Sequence, residues 1–266
     1  VNYKLVAIDM DGTLLDKESR VLERNRIMIE KLADRGVDFV LASGRPYQSL
    51  HPYTEKLEVY LPLISANGSI IRCTLTDKIY HKSSISLDLA REILEYGEKN
   101  GYSVSLYYPD KIVTREEKMA KGHREEEGVE PKVVDKFSIT TPPAKIIYYA
   151  APPKIKRGVT YLSEKYKDEL YVTQSDDEYL EVMNLEVSKG SALQYMMERM
   201  NFSAEEVVSI GNNYNDVAMF KVAGLSVAME NAPEGVKEAA DFVTKNNEEA
   251  GVAYALEQIF LKNNWG

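Results

Sequence analysis

The 266 residues suffice for one large domain or two modest ones, and a hydrophobic content of 44% supplies a sizeable core and excludes wholesale disorder. A net charge of −9 disfavours nonspecific binding to nucleic acid or anionic membrane. The single cysteine, Cys73, excludes an intrachain disulfide and reads as a small buried apolar residue. No apolar run reaches membrane-spanning length and none has the form of a signal peptide, so the expectation is a soluble, cytoplasmic protein.

Leu5 to Ile8 is an apolar run short enough for one buried strand. It stops at Asp9 and Asp11, and Gly12 then permits a sharp turn. Two carboxylates so placed emerge at the carboxyl end of a strand, where open α/β sheets hold their ligands. They raise each other's pKa unless a cation neutralises them, so the stretch asks for a metal, a shared proton, or both. Val21 to Arg35 is rich in helix formers, with Leu22, Ile27, Met28 and Leu32 as candidates for a buried face, and Gly36 caps it. Val37 to Ala42 is a second strand, running into Ser43-Gly44-Arg45-Pro46. Tyr47 to Leu57 then reads as a helix, with Pro46 suited to its first position. Leu61 to Ser65 is a third strand, ending at Ala66-Asn67-Gly68. Strand, helix, strand, helix, strand is the order of a parallel sheet with right-handed crossovers.

The pattern then changes. Leu87 to Lys99 and Ile155 to Tyr166 read as helices among strand-like pieces at 102–108, 111–114, 145–150, 170–174 and 179–184. Residues 116–127 are charge-dense and read as a solvated helix or loop, and Pro142-Pro143 and Pro152-Pro153 punctuate the segment. Tyr102-Ser103-Val104-Ser105-Leu106 alternates apolar and polar residues, which predicts a sheet with one wet face. This is a second, α+β module. From Val187 the first pattern resumes. Helix 189–200 carries a methionine stripe suited to a core, strand 207–210 leads into Gly211-Asn212-Asn213-Tyr214-Asn215-Asp216, and shorter elements follow to Phe260. The reading is therefore an α/β, doubly wound, mostly parallel Rossmann-like core of residues 1–82 and 186–266, interrupted by an inserted module of residues 83–185. The two crossings, near 81–86 and 184–188, suit a lid.

Asp9/Asp11, Ser43-Gly44, Lys189 and Asn212 to Asp216 each lie just past a strand end or at a helix start, so a doubly wound sheet could gather them in one crevice. Singly, each has a plain structural reading: a turn, an N-cap, a solvated lysine, a polar loop. Together they make a set for phosphoryl transfer: a carboxylate nucleophile, a second carboxylate as acid and base, hard oxygen ligands for Mg²⁺, and donors for the phosphoryl oxygens. His51, His81 and His123 lack metal-ligand spacing and read as structural or surface residues.

Asp9-Met10-Asp11-Gly12-Thr13-Leu14-Leu15 resembles the first motif of the haloacid dehalogenase superfamily phosphatases. Ser43-Gly44-Arg45 resembles the second motif, Lys189-Gly190 the third and 211–216 the fourth. The order and the long insertion resemble the Cof-type subfamily with a C2 cap. The resemblance implies a strand order of 3-2-1-4-5 and a Mg²⁺ cofactor. It implies Asp9 as nucleophile and metal ligand, and Asp11 as acid/base with its carbonyl on the metal. Met10, Ser43, Gly44, Lys189 and Asn215 would hold phosphate. Asp216 would support the metal or orient Lys189. Arg45 and Asn67 are candidate substrate contacts. Where such families carry a metal-binding aspartate, this chain has Asn212, whose amide oxygen can coordinate without a formal charge. The expected function is hydrolysis of small phosphorylated metabolites, sugar phosphates foremost, by a monomer or weak homo-oligomer with no nucleic-acid or membrane partner. A phosphotransferase or mutase, or an impaired phosphometabolite-binding protein, stands as the alternative.

Overall fold

The computed structural model describes residues 3–58, 60 and 62–262; Leu61, read above as a strand residue, lies outside them. In chain order the elements begin with β1 (Leu5–Asp9), α1 (Glu23–Ala33), β2 (Asp38–Ala42), α2 (Tyr47–Leu57), β3 (Leu63–Ser65), β4 (Ile70–Arg72) and β5 (Ile79–Lys82). The middle of the chain forms α3 (Leu87–Lys99), β6 (Ser103–Tyr108), β7 (Lys111–Thr114), α4 (Glu117–Gly122), β8 (Lys132–Val133), β9 (Lys145–Tyr149), α5 (Pro152–Lys165), β10 (Leu170–Asp176) and β11 (Tyr179–Asn184). Last come α6 (Lys189–Met200), β12 (Val207–Gly211), α7 (Val217–Phe220), β13 (Leu225–Ala228), α8 (Glu234–Lys237), β14 (Phe242–Val243) and α9 (Gly251–Phe260). The described residues fall into two compact units, one drawn from 1–44, 50–80 and 188–266, the other from 45–49 and 81–187.

The first unit is built on a sheet of order β14-β13-β12-β1-β2-β3-β4-β5, parallel from β14 to β3, with β4 antiparallel to β3. The implied 3-2-1-4-5 order is there, as β3-β2-β1-β12-β13. β1 takes the middle because each of its residues is fully buried, as a strand covered on both faces requires. Leu5 and Ala7 join Val40, Ala42, Ile64, Val207 and the α6 residues Leu193, Met196 and Met197 in one apolar cluster. Val6 and Ile8, equally buried, point to the opposite face. The register aligns the carboxyl ends of the strands: Asp9 lies opposite Ala42, and Ile8 opposite Ile210. Asp9, Ser43 and Asn212 therefore leave the sheet side by side.

One packing expectation fails at α1. Ile27 is 49% exposed, and the inward face is Asn25, Ile29 and Leu32. Asn25 sets that face, because its Oδ1 accepts from the Ala253 N–H at 2.9 Å and ties α1 to α9. A buried amide with a fixed partner outweighs the pull of one more apolar side chain.

The second unit has an antiparallel sheet, β10-β11-β9-β6-β7, with the short β8 added in parallel to β7. Its core joins α3 and α5 side chains (Ala90, Ile93, Ile155, Leu162) to Val104, Leu106, Ile146, Tyr148, Leu180 and Val182. Pro152-Pro153 does not separate elements but forms the first turn of α5, where a missing N–H costs nothing. The predicted wet face is not wet at Ser105, which is wholly buried. Residues 116–127, read as a solvated helix or loop, bury Met119, Ala120 and His123. The His123 ring bridges Ser105 Oγ (2.8 Å) and Glu127 Oε2 (2.8 Å), and the Tyr107 hydroxyl donates to Glu127 Oε1 at 3.0 Å. Ser105 and Tyr107, at alternate positions of β6, thus pair with His123 and Glu127 under cover instead of facing water.

Candidate active site

The loop after β1 is held by its own backbone. The Leu15 N–H donates to Met10 O (2.9 Å), and the Leu14 N–H to Asp9 O (3.3 Å). Gly12 sits at φ +74°, and a Cβ there would lie 2.3 Å from Asn212 Nδ2, so the turn needs glycine twice over. The loop separates the two carboxylates: Asp9 is buried at the strand end, whereas Asp11 is exposed. The Met10 side chain is fully buried.

Lys189 is the first residue of α6, set there by Ser188, whose hydroxyl accepts the Ser191 N–H at 2.9 Å. Only 1% exposed, its Nζ donates to Asp9 Oδ1 at 2.5 Å and to Asp216 Oδ1 at 2.7 Å. The other oxygen of Asp216 accepts the N–H groups of Asn212 (2.9 Å) and Asn213 (3.0 Å), so both of its oxygens are engaged and it pins the fourth-motif loop to Lys189. Two buried carboxylates share one ammonium, leaving an excess negative charge. Burial first, and then the charge of Asp216, push the Asp9 carboxyl up to about 7 against the opposing pull of Lys189. Burial works against the charge of Lys189, but Asp216 and Asp9 outweigh it and hold the ammonium above its ordinary value. Asp9 Oδ2 is buried and has no hydrogen-bond partner.

Ser43 continues β2: its N–H donates to Ile64 O (2.9 Å) and its carbonyl accepts the Asn67 N–H (3.0 Å). A Cβ on Gly44 would come within 3.0 Å of Asn67 Oδ1, which also accepts from Asn215 Nδ2 at 3.0 Å. Asn215 Oδ1 is buried without a partner. Asn212 Oδ1 accepts from the Thr13 hydroxyl at 3.3 Å. Asp9, Lys189 and Asp216 thus form one cluster, Ser43, Gly44, Asn67 and Asn215 a second, and Gly12, Thr13 and Asn212 a third, all at the carboxyl ends of β1, β2, β3 and β12.

A family model of haloacid dehalogenase-like hydrolases matches residues 6–256. The chain belongs to this family. The Bacillus subtilis 5-amino-6-(5-phospho-D-ribitylamino)uracil phosphatase YcsE is 32% identical, over 98% of this chain and 97% of that protein. A haloacid dehalogenase-like hydrolase from Bacteroides thetaiotaomicron superposes with a TM-score of 0.90 at 30% identity, covering 97% of this chain and 100% of that one. Thermotoga maritima TM0651 gives 0.87 at 34% identity, over 96% and 97%. The chain is accordingly a hydrolase, in keeping with a phosphoric monoester hydrolase.

In this hydrolase Arg45 groups with the second unit, where Nη1 donates to Ser49 Oγ (3.2 Å) and to Glu126 O (3.0 Å). Two supports of the loop after β1 escaped sequence reasoning. Asn231 Nδ2 donates to Gly12 O and Asn247 Nδ2 to Leu15 O, both at 2.8 Å. Each asparagine lies more than two hundred residues from the loop it holds, in a stretch with no motif, so no local signal marks it.

Proposed function

We propose that this hydrolase is a Mg²⁺-dependent phosphatase of small phosphorylated metabolites, sugar phosphates foremost, working through an aspartyl phosphate. The observation that carries the reading is Asp9: a carboxylate buried at the end of the central strand, with Lys189 on one oxygen and the other without a partner. Asp9 attacks phosphorus as the bond to the leaving alkoxide breaks, and Asp11 gives that alkoxide its proton. Asp11 then takes a proton from water, the water oxygen bonds to phosphorus, and the acyl phosphate opens to return Asp9. The Lys189 ammonium, the N–H groups of Met10 and Gly44, the Ser43 hydroxyl and the Asn215 amide steady the phosphoryl oxygens. Asp216 acts by orienting Lys189 and the loop at 212–213. Residues 83–185 take the part of an inserted cap that selects the leaving group.

The residues present fit a magnesium ion. Among the described residues no three His, Cys, Asp or Glu side chains gather into a cage, but Mg²⁺ keeps several waters and needs only one or two carboxylates. Asp9 Oδ2, orphaned in a buried setting, is the donor such an ion would satisfy, and the family resemblance adds the Asp11 carbonyl and the amide oxygen at Asn212 as the residues that would complete its protein ligands. Once bound, the ion would supply positive charge against the crowded anions. Asn212 contributes a dipole where a carboxylate would contribute a charge. The Asn212→Asp variant is therefore expected to lower the half-saturating Mg²⁺ concentration by about tenfold. Equal half-saturation in titrations of the two proteins would remove Asn212 from the metal site.

The YcsE relative is named for a phosphorylated ribityl substrate, as is Bacillus subtilis YwtE at 28% identity. That compound belongs beside hexose and pentose phosphates in a phosphate-release screen. Release from members of this panel, abolished by EDTA and restored by Mg²⁺, is the expected result. Binding without release under saturating Mg²⁺ would instead mark a phosphometabolite-binding protein, and transfer to an added sugar a phosphotransferase.

A further inference from the structure

The turn between β3 and β4 is unusual in two respects. Ala66, Asn67 and Gly68 take φ values of 49°, 57° and 103° in succession, a left-handed run that costs an alanine and an asparagine conformational energy. All three residues are buried, whereas such turns normally lie at the surface. Strain of this kind persists only where the surroundings over-determine it, and three contacts do so here. A Cβ on Gly68 would lie 2.2 Å from the carbonyl of Ser188, the residue before Lys189. The Asn67 N–H donates to Ser43 O at 3.0 Å. The Asn67 side chain presents Oδ1 to Asn215 Nδ2 at 3.0 Å and lies against the bare α-carbon of Gly44. One strained turn therefore touches the second, third and fourth phosphate-binding segments.

We propose that Asn67 is a positioning residue that sets the Asn215 amide and the Gly44 backbone for the transferring phosphoryl group. The role rests on the phosphatase reading above. By accepting one N–H of Nδ2, Asn67 fixes which end of the Asn215 amide faces it and leaves the second N–H for a phosphoryl oxygen. The left-handed backbone at 66–68 aims the Asn67 side chain at this task, and Gly44 lacks a side chain so that Asn67 can come close. A grip that tightens as charge shifts onto the phosphoryl oxygens affects turnover more than substrate binding.

The test is p-nitrophenyl phosphate hydrolysis in Mg²⁺ by Asn67→Gly, Asn215→Ala and the double variant, with thermal melts of each. Glycine keeps the positive φ and removes only the side chain. The expected result is a 10- to 100-fold loss of kcat in Asn67→Gly, with KM within about threefold and melting within about 3 °C of wild type. Adding Asn67→Gly to Asn215→Ala should cost less than a further threefold, because the two act as one unit. A kcat within twofold of wild type, or fully multiplicative losses, would overturn the inference. If the glycine variant does not fold, Asn67→Asp retains the acceptor and the left-handed preference. Its kcat/KM should fall with rising pH more steeply than that of wild type, as the new carboxylate ionises beside the phosphoryl group; an unchanged pH profile would overturn the inference equally. Wild-type protein inert in the same assay would sink the phosphatase reading itself, whereas active wild type with an indifferent Asn67→Gly sinks only the role of Asn67.

Discussion

Replacing Asp9 by asparagine should silence the enzyme and, in the absence of divalent cations, make it more stable. On the aspartyl-phosphate mechanism proposed above, turnover should fall by about 10⁴-fold or more, because an amide cannot form the acyl phosphate. The gain in stability follows from the charge count in the buried cluster. Asp9 and Asp216 share Lys189, and the surplus negative charge resides in a site shielded from solvent. Burial chiefly, and Asp216 next, lift the Asp9 carboxyl from 3.8 to about 7. An acid whose pKa rises on folding holds its proton in the native state after the unfolded chain has released it. Between about pH 4 and 7 the folded protein therefore binds the extra proton, and stability falls as pH rises through that window. Above pH 7 the native state carries the whole penalty. The neutral amide of the Asp9→Asn variant would carry none of it and could still accept a hydrogen bond from Lys189. The expected gain is about 1–3 kcal/mol at pH 8 in EDTA, read as a higher melting temperature that converges on wild type near pH 5. Mg²⁺ should raise the melting temperature of wild type and leave the variant unmoved. A variant that melts below wild type at pH 8 in EDTA would refute the account of the cluster.

That cluster also shows where sequence reasoning stops. β1 was legible because a short apolar run ending at two carboxylates has few other uses, and because burial on both faces leaves a strand only one composition. Helix α6 was legible to the residue from its spacing of apolar positions. The state of Lys189 was not: by local context it is one more lysine at a helix start, yet its two partners lie 180 and 27 positions away and take it fully out of water. Ser105 failed for the same reason in reverse. Alternation along β6 reports which residues share a face, but whether that face is wet depends on residues 117–127, whose dense charge hid a buried histidine and methionine. β4, β5 and β8 have two to four residues each, too few for a period to emerge. Asn67 was visible as a polar residue after a strand, but its backbone strain and its grip on Asn215 are facts of three dimensions.

Lys189→Met should be the most destabilising single change in the site, and its cost should depend on pH. Methionine fills much the same volume but removes the ammonium bonded to Asp9 Oδ1 and Asp216 Oδ1. Breaking a buried ion pair from one side costs about 3–5 kcal/mol, because the remaining charges are left uncompensated in a dry site. Asp216 retains the N–H groups of Asn212 and Asn213, so the burden falls on Asp9, whose pKa is already raised to about 7 with the lysine present. Without Lys189 it must rise further, and the folded state then relieves the repulsion by taking up a proton. The variant should therefore lose most stability at pH 8 and progressively less towards pH 5, where the unfolded chain still has ionised carboxylates but native Asp9 is neutral. Urea unfolding at both pH values would measure the difference as a shift in midpoint at constant slope. Adding Asp9→Asn to Lys189→Met should restore much of the loss at pH 8, since a single anion with two backbone donors remains. An equal midpoint for wild type and Lys189→Met at pH 8, or a double variant no better than the single one, would mean that the three side chains do not act as one charge-balanced unit.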